Sequence, residues 1–115
     1  MKVPSNSPVK AVRWSDRAAI VDVAGDIDLH RSQAFQQALL EMLEEKPERV
    51  IVNLAEVPYM DSSGVASLVK LLSRTRRSGL PLALVGLQAR VRSVLEITRL
   101  DTVFDICATE EEAMG

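Results

Sequence analysis

The run Asp61-Ser62-Ser63-Gly64 holds the hydroxyls best placed to do chemistry in this chain, because a strand-like run gives way there to a helical pattern. Free backbone N–H groups and the positive end of the macrodipole converge at a helix start. A phosphate added to one of these hydroxyls is therefore electrostatically favoured in the folded state. A plainer reading fits the same residues: Asp61 or Ser62 is the helix N-cap, since Asp and Ser are among the commonest caps, and Gly64 eases the turn. Gly25-Asp26-Ile27-Asp28 marks a second such junction, ending one strand-like run and opening an earlier helical one. Strand-to-helix loops of an α/β sheet gather at one edge, which would bring Asp28 towards Ser62. The alternative is that Asp28 caps its own helix and Asp26 is a solvated loop carboxylate. His30 is the only histidine and falls in the first turn of that helix, where an exposed surface residue with no catalytic role is expected.

Other chemistry is poorly served. There is no G-x-S-x-G elbow, no Walker-type loop, no G-x-G-x-x-G and no helix with paired metal-binding histidines. The chain is expected to be no enzyme and to need no cofactor. A nucleophilic role for Ser62 would require a base that the sequence does not supply. Cys107 is the only cysteine, which excludes an intrachain disulfide and, with a single histidine, leaves too few soft ligands for structural zinc. Four scattered aromatics, Trp14, Phe35, Tyr59 and Phe104, make no base-stacking platform, and a net charge of −2 gives no pull towards nucleic acid or anionic lipid. Arg74, Arg76 and Arg77 form a local basic cluster, read as a solvated helix end. No apolar run approaches bilayer length and residues 1–8 lack the apolar stretch of a secretory signal, so a cytoplasmic protein without membrane insertion is expected.

The elements that must position these residues follow from periodicity. At 115 residues, 47% of them apolar, the chain suits one domain, expected over residues 9–115 behind a flexible leader at residues 1–8. Val9 to Trp14 and Ala18 to Ala24 read as strands around the polar turn Ser15-Asp16-Arg17, an opening hairpin. Phe35, Ala38, Leu39, Met42 and Leu43 fall on one helical face, which Pro47 ends. Val50-Ile51-Val52 with Leu54 reads as a central strand. A second helical stripe, Val65, Leu68, Val69 and Leu72, runs to Gly79, and Leu80 to Val85 follows as a strand. Val91, Val94, Leu95 and Thr98 predict a third helix, Phe104 to Cys107 a last strand, and Thr109 with Glu112 a capping box for a final helix. This order predicts an α/β domain whose mixed sheet begins with an antiparallel hairpin, continues with parallel strands and packs against α-helices.

With these residues in view, the sequence resembles the STAS domain family, named for sulphate transporters and anti-sigma-factor antagonists. The resemblance rests on Gly25-Asp26-Ile27-Asp28, on Val50-Ile51-Val52-Asn53-Leu54 and above all on Val57-Pro58-Tyr59-Met60-Asp61-Ser62-Ser63-Gly64. In antagonists of this family the serine directly after the aspartate of the motif accepts phosphate from an anti-sigma factor that is a serine kinase. That serine corresponds to Ser62, with Ser63 as the fallback, and the family's aspartate near the serine corresponds to Asp28. The resemblance implies partner switching. The unphosphorylated domain binds the anti-sigma kinase, the phosphorylated form lets go, and a phosphatase restores the hydroxyl, with Asp26, Asp28, Asp61, Ser62, Ser63 and Gly64 forming the switch surface. The family also contains constitutive subunits of stress-signalling scaffolds and lipid-transport complexes, the competing expectation.

Overall fold

The computed structural model describes residues 7–115; most of the expected leader, residues 1–6, lies outside the described residues. Ser7 and Pro8 are tied to the sheet, with Ser7 Oγ accepting from Val9 N at 3.1 Å and the Pro8 carbonyl accepting from Ala24 N at 2.9 Å. Strands β1 (Val9–Ser15) and β2 (Ala18–Ala24) pair antiparallel around a tight turn. Both turn residues are left-handed, Asp16 at φ 47° and Arg17 at φ 70°, the hand that matches the twist of a two-residue hairpin.

Helix α1 (Leu29–Glu44) leads to β3 (Arg49–Glu56), α2 (Ser62–Arg77) to β4 (Leu82–Val85), and α3 (Ala89–Ile97) with a short 3-10 turn at Leu100–Thr102 to β5 (Asp105–Cys107). The strands lie in the order β1-β2-β3-β4-β5, with every pair after the hairpin parallel. The order never reverses, so right-handed crossovers carry α1, α2 and α3 to the same face of the sheet. No crevice opens at a switch of strand direction, where small ligands of α/β sheets usually bind.

The predicted α1 face is buried as expected at Phe35, Ala38, Leu39 and Met42, against Val21, Val52, Leu54 and Leu84 of the sheet. Removing each large apolar side chain from water contributes roughly 1.5–3 kcal/mol. Helix α1 ends through Lys46, left-handed at φ 57°, and Pro47, which has no N–H, stands next. At the end of α2, Gly79 N donates to Arg76 O at 3.1 Å and Leu80 N to Thr75 O at 2.8 Å, the paired bonds of a Schellman close around a glycine at φ 66°.

The predicted α2 stripe needs correction at Val69, which is exposed, while Ser67, Leu71 and Thr75 join Val65 and Leu68 in the buried face. The true stripe is rotated relative to the one counted from apolar residues alone, because two hydroxyl side chains inside it satisfy their hydrogen bonds on helix carbonyls. In α3, Val91 and Leu95 are buried, whereas Thr98 is the exposed C-cap rather than part of the stripe.

The other face of the sheet carries Ile20, Ile51, Ala83 and Val85 and is covered by α4 (Glu110–Met114) through Ala113. Thr109 Oγ1 caps α4 on Glu112 N at 3.2 Å, as the spacing predicts. Polar anchors hold this short helix down: Glu110 Oε2 accepts from Arg13 Nη2 and from Asn53 Nδ2, each at 2.6 Å, and Arg49 Nη1 donates to the Ala113 carbonyl at 2.6 Å.

Candidate functional site

Two loops at the carboxyl edge of the sheet build the site. The first leaves β2 through Gly25, whose N–H donates to Glu56 O at 2.9 Å and whose φ of 86° favours glycine. The second leaves β3 and passes the buried Val57 and Met60 to reach Asp61. A parallel bridge between Ile27 and Met60 clamps the two together, with Ile27 N donating to Tyr59 O at 3.0 Å and Asp61 N to Ile27 O at 3.1 Å. Each loop thus delivers its aspartate to the start of a helix.

Asp28 caps α1, accepting from His30 N at 3.0 Å and Arg31 N at 3.2 Å. Asp61 caps α2, its Oδ1 accepting from Ser63 N at 2.9 Å, Gly64 N at 3.3 Å and Ser63 Oγ at 2.5 Å. The Ser63 hydroxyl, opposed by partial burial and helped by the backbone N–H groups of Gly64, Ser63 and Leu29, holds the Asp61 carboxyl below the usual carboxylate range. Each helix start thus has its own aspartate, Asp28 for α1 and Asp61 for α2, and the Asp61 N to Ile27 O bond holds the two close together.

The two serines therefore differ. Ser63 is half-buried with its hydroxyl committed to Asp61, whereas Ser62 is exposed as the first residue of α2 and its hydroxyl has no partner among the described residues. The plain reading of Ser62 as the cap is corrected, because Asp61 occupies that position. Gly64 also differs from expectation, being buried inside the first turn. A Cβ there would lie 2.5 Å from Met60 Cγ and 2.9 Å from Ile27 Cγ2, so its role is close approach rather than turn freedom.

Asp26 is exposed, and its backbone carbonyl accepts from Arg31 Nη1 at 2.8 Å. His30 is exposed, as expected. Three features at this edge escape sequence reading. Tyr59 is half-buried under the Arg90 guanidinium, 5.0 Å from its ring centroid. Ser67, buried beneath the turn, places its hydroxyl 3.1 Å from Ser63 O and 3.3 Å from Ser32 O, joining α2 to α1. Leu29 is 74% exposed although apolar. Only the last carried a signal in the sequence, a leucine directly after a capping aspartate and outside the buried stripe.

No His, Cys, Asp or Glu cluster among the described residues could hold a metal ion, and no described helix is long and apolar enough to cross a membrane. The basic cluster sits away from the serines, where Arg74 and Arg77 line a cleft of about 540 Å³ with Leu40, Leu43, Pro47 and Leu80 between the ends of α1 and α2. Chemically, the site offers an exposed hydroxyl at a helix N-terminus with no hydrogen-bond partner among the described residues.

A five-stranded mixed sheet of this order is the STAS-type fold, and the STAS domain family model matches residues 10–113. The chain belongs to the STAS family. It is 35% identical over 94 residues to an anti-sigma-B factor antagonist of Listeria monocytogenes, covering 81% of this chain and 82% of that protein. A Thermotoga maritima structure described as a candidate anti-sigma factor antagonist superimposes with a TM-score of 0.86 at 25% identity, covering 90% of each chain. The unphosphorylated anti-sigma factor antagonist SpoIIAA shares the fold, with a TM-score of 0.77 at 22% identity over 90% of this chain and 91% of that one. The chain also matches a Bacillus subtilis protein named as a sulfate transporter, YvdB, at 30% identity, and spans only 18% of its length.

Proposed function

We propose that this chain is a non-enzymatic, cytoplasmic anti-sigma-factor antagonist that binds an anti-sigma serine kinase and is released from it by phosphorylation of Ser62. The observation that carries the reading is the difference between the two serines: Ser62 is exposed and free, while Ser63 is tied to Asp61 at 2.5 Å. A kinase needs a hydroxyl that can be engaged without breaking structure, and of the two serines in the motif Ser62 is the one that meets this need. The similarity to an antagonist over most of both chains supports the role.

The physics of release is local. A phosphoserine adds roughly −1.5 to −2 charges and three acceptor oxygens to a docking surface. The N-terminal dipole of α2 tolerates that charge in the folded domain, so the complex breaks while the domain stays intact. A phosphatase then restores the neutral hydroxyl. Asp28 and Asp61 hold the two helix starts that frame Ser62, and Asp26 is the exposed carboxylate beside them.

The test is mass spectrometry of the chain after incubation with an anti-sigma serine kinase and ATP, paired with titration of the phosphorylated and unphosphorylated forms against that kinase. Phosphate on Ser62 with a large loss of affinity is expected. Phosphate on no residue, with undiminished partner binding, would replace this reading by that of a constitutive assembly subunit. The match to one stretch of a much longer protein named as a sulfate transporter is the observation that favours that second reading.

A further inference from the structure

We propose that Leu29 is the apolar anchor of a docking footprint centred on Ser62, with Ala66 and Val69 forming a second seat, and that its occupant is the apolar face of the kinase that phosphorylates Ser62. The inference rests on the switch reading above and adds the residues that carry the affinity. Leu29 is 74% exposed as the first residue of α1, a position where helix formation asks for no apolar side chain. Ile27, two residues before it, is paired with Met60 and accepts from Asp61 N at 3.1 Å, so Leu29 stands close to the turn that presents Ser62.

Helix α2 continues the same surface. Residues 62, 66, 69 and 73 recur on one side of an α-helix, and Ser62, Ala66, Val69 and Ser73 are all exposed. Val69, the residue that departs from the predicted buried stripe, lies about 10 Å from Ser62 along the axis. None of these side chains, nor Leu29, carries a charge.

Reach decides the occupant. A stable protein interface covers about 800 Å² of each partner, a disc of roughly 16 Å radius. A kinase that brings a phosphoryl group to Ser62 Oγ therefore covers Leu29 and Val69 as well. Binding energy concentrates in a few desolvated side chains, and Leu29 is the large apolar one on offer. A phosphate arriving among these uncharged side chains, with Lys70 an exposed cation at their edge, would lose water on docking, which couples loss of affinity to the modification.

Wild type, Leu29→Ala, Val69→Ala and Ile97→Ala are titrated by calorimetry against the anti-sigma serine kinases of the source organism, loaded with non-hydrolysable ATP so that Ser62 stays unmodified. Ile97 is the control, more exposed than Leu29 at 82% but at the far end of α3. Leu29→Ala should raise Kd on the order of ten- to a hundredfold, Val69→Ala less, and Ile97→Ala within twofold of wild type. Thermal melts of all four should coincide, because none of the three side chains belongs to the core. A Kd for Leu29→Ala within twofold of wild type overturns the inference while leaving the switch intact. So does an equal loss in Ile97→Ala, since affinity would then follow apolar surface in general. Absence of wild-type binding to any of these kinases instead removes the switch reading itself.

Discussion

Asp61 and Ile27 are joined by a backbone hydrogen bond of 3.1 Å, the contact through which the loop after β3 is registered against the loop after β2. Next to it, the Asp61 side chain accepts from Ser63 N, Ser63 Oγ and Gly64 N in the first turn of α2. The turn that carries Ser62 is therefore held by both loops at once, although the Ser62 hydroxyl has no hydrogen-bond partner among the described residues.

Ser62 variants separate function from folding. Ser62→Ala should bind the kinase persistently and Ser62→Asp much more weakly, the mimic being partial because it carries about one charge against the larger charge of a phosphate. Since Ser62 is exposed and is not the cap, both should stay within about 0.5 kcal/mol of wild type in chemical denaturation. A larger destabilisation would show that the hydroxyl supports the fold.

Asp61→Ala should cost about 1–2 kcal/mol, the upper end for a lost cap, because the carboxylate accepts from the Ser63 hydroxyl as well as from two backbone N–H groups. Asp28→Ala, which removes a single cap, should cost less, about 0.5–1 kcal/mol. Denaturation midpoints of the two variants, compared at equal slope, check the order.

The same carboxylate fixes a pH dependence. The folded Asp61 carboxyl is held below its unfolded value of about 3.9 by the Ser63 hydroxyl and the N–H groups around it. Its contribution to stability is thus fully present above the unfolded value and is lost as pH falls through the lower folded one. In an NMR titration the Ser63 and Gly64 amide shifts should move together, with a midpoint below 3.9. A midpoint at or above the unfolded value would contradict the geometry.

Gly64→Ala should lower stability although alanine is the better helix former. The new Cβ would stand 2.5 Å from Met60 Cγ and 2.9 Å from Ile27 Cγ2, an overpacking that costs about 1–3 kcal/mol against roughly 1 kcal/mol of helix propensity gained. A fall in melting temperature with a weakened Ile27–Met60 bridge, seen as faster amide exchange at Ile27 and Asp61, is the expected outcome.

Arg13→Ala should loosen α4 selectively. Arg13 holds Asp22 at 2.6 and 2.8 Å and Glu110 at 2.6 Å, and keeps both carboxyls below their usual range. Without it two carboxylates face each other across the anchor of a five-residue helix. Global stability should fall by about 1 kcal/mol, since the guanidinium is half exposed, while limited proteolysis cuts within residues 108–115 several times faster. Unchanged cleavage there would show that Ala113 packing alone retains the helix.

Much of this molecule was legible without coordinates. The period-2 and period-3.6 patterns located all five strands and the principal helices, the caps at Asp28 and Thr109 fit residue type and spacing, and for α2 the sequence left Asp61 and Ser62 as equal candidates. These are local properties, decided by hydrogen bonds within a few residues of each other. The tertiary structure decided what depends on neighbours distant in sequence. Val69 faces solvent because Ser67 and Thr75 satisfy their hydroxyls within the buried face, a preference that apolar counting does not see. Gly64 is needed because Ile27, 37 positions earlier, approaches its backbone. Ser62 and Ser63 are indistinguishable as letters, and they part company only because the Asp61 carboxylate, placed by the pairing of two loops, takes the Ser63 hydroxyl and leaves that of Ser62 without a partner among the described residues.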